Sequence, residues 1–179
     1  MADKLIIEIF REKNAEEFTK ALAAPDSRLE TGSAAAMTAA VAMSLAARAA
    51  AACDQSGEKA QYIARNIETL RGYMVHLIDE DVKSRGPLRR AIKEGDARTI
   101  EAARQPAVCI DQEIINMMGQ ALELIAGLAE ICPKDSMHYV GEAAELALAV
   151  GGDHVSRQGL PGNGDADERA VGGDCRDVG

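Results

Sequence analysis

A carboxylate stands where a core stripe calls for an apolar side chain. Ala60, Ile63, Ile67, Leu70, Met74 and Leu77 follow one another at steps of three and four, which places them on one buried face of an α-helix. The next place in the series is Asp81. Burial disfavours an anion there, and so does the negative end of the helix macrodipole if the helix stops shortly after it. A carboxyl group in that position is suited to taking up and returning a proton. The alternative is that the stripe leaves the core at Leu77 and Asp81 is solvated; periodicity alone leaves both open. Asp79 lies two residues away on another face, so the two acids are not a facing pair.

A second candidate is Thr31-Gly32-Ser33, where a loop enters an alanine-rich helix. Free N–H groups and a glycine permitting close approach could take an anion or carbonyl oxygen, although an ordinary helix cap has the same residues. Lys83, Arg85, Arg89 and Arg90 form a basic cluster in an acidic chain, a solvated surface or an attractor for an anionic ligand. Tyr62, Asn66, Thr69, Tyr73 and His76 make a polar flank beside the apolar stripe, which fits an interface edge or a cleft leading to Asp81. The four cysteines form no C-x-x-C pair, and the three histidines have no ligand spacing. Neither a metal site nor a disulfide framework is signalled.

These residues need long helices to position them. Asn14-Ala15-Glu16-Glu17 reads as a capping box opening a helix that ends before Pro25. The next helix runs from about Ser33 to Cys53, and 12 of the 19 residues from Ala34 to Ala52 are alanine, the strongest helix former. A third spans about Gly57–Ser84, stops at Gly86-Pro87, and is followed by a short helical piece over Leu88–Glu94. A fourth covers Thr99–Ile131, kinked or restarted at Pro106. Its apolar rows are Val108/Ile115/Leu122/Ala129, Ile110/Met117/Leu124/Ile131 and Ala107/Ile114/Ala121/Leu128, a wider arc than one side of a small bundle needs. Either this helix is central, or a partner subunit covers the excess. A last helix covers Met137–Val150. Residues 151–179 hold eight of the 16 glycines and no periodicity, so they read as an irregular or disordered tail to a helical domain over 1–150.

Composition sets the class. The chain has 179 residues, 47% hydrophobic but only 3% aromatic, with 33 alanines and no Trp. An all-β core would need aromatic and β-branched residues, so the reading is an all-α multihelical bundle, dimeric through its long helices. A net charge of -9 argues against nucleic acid as a partner. No secretory signal appears in residues 1–10, and alanine is too weakly apolar to make 33–52 a membrane span. A cytoplasmic protein is expected.

At these residues the chain resembles the cyclodeaminase/cyclohydrolase family, which includes the C-terminal domain of formiminotransferase-cyclodeaminase and stand-alone methenyltetrahydrofolate cyclohydrolases. Asn14–Phe18 matches the family's opening helix. Thr31-Gly32-Ser33-Ala34-Ala35-Ala36 resembles the end of its P-G-G-G-S-A-A-A turn, and Leu77-Ile78-Asp79-Glu80-Asp81 its acidic motif. Pro106 with the long helix after it, and Gly141-Glu142-Ala143-Ala144, follow in order. Two departures stand out: Leu29-Glu30-Thr31 replaces P-G-G, and Asp135–Tyr139 replaces an N-A-x-S-D run. The resemblance implies a homodimer acting on a tetrahydrofolate one-carbon derivative, with no cofactor beyond that substrate. It implies hydrolysis of 5,10-methenyltetrahydrofolate first, with formiminotetrahydrofolate cyclodeamination or non-catalytic folate or protein binding as alternatives. Asp81 would be the acid/base group, with Asp79 second. Gly32 and Ser33 would contact the ligand, and Lys83 or Arg85 its glutamate tail.

Overall fold

The computed structural model describes residues 9–158. Five α-helices carry the fold: α1 (Ala15–Ala23), α2 (Thr31–Ala51), α3 (Glu58–Glu94), α4 (Ala97–Ala129) and α5 (Met137–Gln158), with a 3-10 turn over Lys134–Ser136 leading into α5. Around the bundle α2 packs on α3, α3 on α4, α4 on α5, and α5 back on α2. The loops from α2 onward are short, so α2 to α5 are antiparallel to their neighbours in the chain. The all-α expectation holds, and the described residues say nothing of oligomeric state.

The alanines explain the centre. In α2 the buried residues include Ala36, Ala39, Ala40, Ala42, Met43, Ala46, Ala49 and Ala50, so small side chains line this helix against its neighbours. α2 is long and apolar enough to cross a membrane by length and composition alone, yet here it packs on three other helices of the bundle. From α3 the whole stripe Ala60, Ile63, Ile67, Leu70, Met74 and Leu77 is buried against it, and the stripe does not stop there: Asp81 is buried too.

Helix boundaries moved where tertiary contacts overrode local signals. α3 runs unbroken through Gly86-Pro87 to a left-handed Gly95 at φ 77°, where a break was expected. Proline in a helix forfeits one hydrogen bond, at about 3 kcal/mol. Side chains beyond the break hold the segment down: Arg89 donates to the Ser27 and Arg28 carbonyls, and Ala91 is buried. α4 likewise continues through Pro106, capped by Asp96, which accepts from Thr99 N–H at 2.9 Å. α5 extends through Gln158, past the expected end at Val150. The remainder of the expected tail, 159–179, lies outside the described residues.

The excess apolar surface of α4 is real in the single chain. Ala107, Ile114, Ala121 and Leu128 are buried, whereas Ile110, Met117, Leu124, Ile115 and Leu122 are only half-buried.

Candidate active site

Because α2 opens at Thr31, the Thr31-Gly32-Ser33 segment is the first helical turn rather than a loop, with Glu30 as an N-cap whose side chain makes no cap bond. That turn lies directly on Asp81. The Asp81 carboxylate is fully enclosed. Its Oδ2 accepts the Ser33 backbone N–H at 2.8 Å and the Ser33 hydroxyl at 2.7 Å. Its Oδ1 accepts from Arg85 Nε at 2.6 Å. The anion at the α2 N-terminus is therefore one of the chain's own side chains.

This arrangement explains Gly32. A Cβ on Gly32 would fall 2.3 Å from Asp81 Oδ1 and 2.7 Å from its Cγ. Only a residue without Cβ lets the carboxylate reach the Ser33 donors.

Arg85 ties in α4. Its Nη2 donates to both oxygens of Asp111, at 2.9 and 3.0 Å. Burial works against the Arg85 charge, but Asp81 and Asp111 beside it more than offset this and hold its pKa above the ordinary arginine value. Glu30 faces the same cluster, 3.6 Å from Arg85 Nη1 and 3.0 Å from Arg89 Nε. Enclosed Asp81 thus communicates with the surface through Arg85, toward half-exposed Asp111 and Glu30.

The other expected site residues lie elsewhere. Asp79 is buried on another face, where its Oδ1 accepts the Phe10 N–H at 2.7 Å and its Oδ2 lies 3.5 Å from Arg11 Nη1. It pins the segment before α1, with Phe10 in the core. Lys83 is exposed and paired with Glu80 at 2.6 Å. Gly32, Ser33, Asp81 and Arg85 do come together. Three donors converge on the Asp81 carboxylate, Ser33 N–H, the Ser33 hydroxyl and Arg85 Nε, so removing the carboxylate would strand them.

The polar flank of α3 does not lead to Asp81. Tyr62, Asn66, Thr69 and Tyr73 line a groove of about 560 Å³ against Met117, Gln120 and Leu124 of α4. At its end the Tyr73 hydroxyl donates to Glu113. That bond, with burial and the neighbouring carboxylates, pushes the phenol up to about 12.

Sequence reasoning missed Asp111. Its signal was an acid at the edge of the α4 apolar arc, three residues before buried Ile114. The departure at His138-Tyr139 lies far from this cluster. There the two rings meet at a tilt of 43° with 3.9 Å between centroids, and Arg48 sits over Tyr139, about 22 Å along α2 from Ser33 at 1.5 Å per residue. Among the described residues, no group of three or more His, Cys, Asp or Glu side chains is placed to hold a metal ion.

A family model described as formiminotransferase-cyclodeaminase matches residues 14–152. No curated protein matches the chain. Among solved structures, the crystal structure of formiminotetrahydrofolate cyclodeaminase from Thermotoga maritima is similar, with a TM-score of 0.72 and 18% identity over 82% of this chain and 80% of that one. At that identity the likeness is one of fold.

Proposed function

The chain belongs to the formiminotransferase-cyclodeaminase family, and from that premise we propose that it acts on a tetrahydrofolate one-carbon derivative, releasing ammonia from 5-formiminotetrahydrofolate. Neither comparison names a cyclohydrolase, so hydrolysis of 5,10-methenyltetrahydrofolate moves from first reading to second. The observation that carries the reading is the Asp81–Ser33–Arg85 constellation, which joins the glycine turn and the acidic motif in one place.

In the deamination, folate N10 attacks the carbon of the protonated formimino group (=NH2+) and gives up its proton, and the departing nitrogen takes up one proton and leaves as ammonia, which leaves the 5,10-methenyl cation. One positioned acid/base group serves both transfers. Asp81 has that role here. Ser33 holds its Oδ2, Gly32 gives the carboxylate room, and Arg85, keeping Nε on Oδ1, offers Nη1 to the carboxylate of the ligand's glutamate. Lys83, already engaged by Glu80, is the lesser candidate for that contact. Asp79 serves as the anchor of the N-terminal segment.

The half-buried rows of α4 support a homodimer in which a second copy covers Ile115, Leu122 and their neighbours.

Ammonia release from formiminotetrahydrofolate, measured beside the appearance of methenyl absorbance, tests the reaction. Asp81→Asn should lower turnover about 10²–10⁴-fold. It should also lower the melting temperature, because the amide removes the charge paired with Arg85 and sets an NH2 among the Ser33 and Arg85 donors. Near-normal turnover in Asp81→Asn would remove Asp81 from the chemistry. Methenyl loss above the spontaneous rate, with no ammonia release by the wild type, would make the protein a cyclohydrolase.

A further inference from the structure

Each arginine on the outer turns of α3 has one nitrogen left over. Arg85 gives Nε to Asp81 and Nη2 to Asp111, which leaves Nη1. Arg89 gives Nη1 to the Ser27 carbonyl and Nη2 to the Arg28 carbonyl, which leaves Nε. The two residues are four apart on one helix, so their guanidinium groups are neighbours. Both leftover nitrogens face the two oxygens of one carboxylate, that of Glu30: Nη1 to Oε2 at 3.6 Å and Nε to Oε1 at 3.0 Å.

Neither approach is a formed hydrogen bond. The first is too long, and Arg89 Nε, although buried, has no aligned acceptor. Glu30 is held there by charge and not by fit. Its side chain is 38% exposed, and it sits at the start of α2 with no cap bond to keep it in place. An arginine fork satisfies a carboxylate best by parallel, short N–H···O bonds, and these two donors have not reached that geometry.

We propose that Arg85 Nη1 and Arg89 Nε form a carboxylate-binding site that Glu30 occupies as an internal stand-in, to be displaced by a carboxylate of the ligand. The inference rests on the folate reading above only for the identity of that ligand, a glutamate-bearing one. An intramolecular competitor lowers apparent affinity by the fraction of time it fills the site. Glu30 stands where the resembling family carries a glycine of its turn, so this gate is a property of this chain.

The test uses the full chain with glutarate as a plain dicarboxylate probe, and 5-formyltetrahydrofolate beside its pteroate analogue lacking glutamate. Glu30→Gln and Glu30→Gly remove the competing charge at a half-exposed position. Both should bind glutarate and the glutamate-bearing folate about 2–5-fold tighter than wild type, the scale of one partly exposed ion pair, with no gain for the pteroate. Arg89→Gln in the Glu30→Gln background should abolish the gain. In ¹⁵N-labelled protein, glutarate should move the Arg89 Nε–H resonance. Unchanged glutarate affinity in both Glu30 variants, or a gain that survives Arg89→Gln, overturns the proposal. Glutarate binding that follows these rules while no folate binds would support the site and overturn the folate reading instead.

Discussion

Replacing Gly32 by alanine offers the sharpest check on how this site is built. The added Cβ would lie 2.3 Å from Asp81 Oδ1 and 2.7 Å from Cγ, well inside contact. The carboxylate cannot simply swing aside, because Ser33 N–H, Ser33 Oγ and Arg85 Nε all hold it. Overpacking of this kind costs about 1–3 kcal/mol, and weakening a hydrogen bond to a buried charge costs about 1.5–3 kcal/mol more. Against this stands the helix propensity gained by Gly→Ala, about 0.5–1 kcal/mol. The net expectation is a loss of about 1.5–5.5 kcal/mol, or ~3–22 °C in melting temperature for a chain of this size. Gly72→Ala is the control: Gly72 is exposed within α3 and has nothing within 4 Å of its Cβ position, so the same substitution there should stabilise by about 0.5–1 kcal/mol. Thermal and denaturant unfolding followed by circular dichroism at the helix band read both. In an Asp81→Ala background the Gly32→Ala cost should largely vanish, since the clashing atoms are gone. A Gly32→Ala protein as stable as wild type, or a cost undiminished without Asp81, would refute the close approach and its consequence for the site.

Tyr73 should ionise near pH 12, and Tyr73→Phe should delete that step from an ultraviolet titration. Because its folded pKa lies above the unfolded value of about 10, its contribution to stability is complete below pH 10 and is lost as pH rises toward 12. Light scattering should give twice the chain mass of 19.0 kDa, and Ile115→Asp on the half-buried row of α4 should return it to one; a wild-type monomer at micromolar concentration would leave those rows without the proposed cover.

Much of the architecture was written locally. The three-and-four stripe from Ala60 to Leu77 fixed which face of α3 is buried. Alanine content marked α2 as a helix made for close packing, and Asn14 and Pro25 bracketed α1 because capping and the pre-proline restriction act within a few residues. The stripe also pointed at Asp81, but period alone left open whether the core reached it; the closed bundle buries it. What lay beyond reach was everything decided by partners distant in sequence. Whether Asp81 is a lone buried acid or a held one depends on Ser33, 48 residues earlier. Whether α3 breaks at Pro87 depends on Arg89 reaching carbonyls about 60 residues away, contacts that outweigh one missing hydrogen bond. Asp111 and Asp79 carry no local mark that one would clamp Arg85 and the other pin Phe10. Periodicity assigns a side chain to a face, but which group waits on the facing helix is set only when the bundle closes.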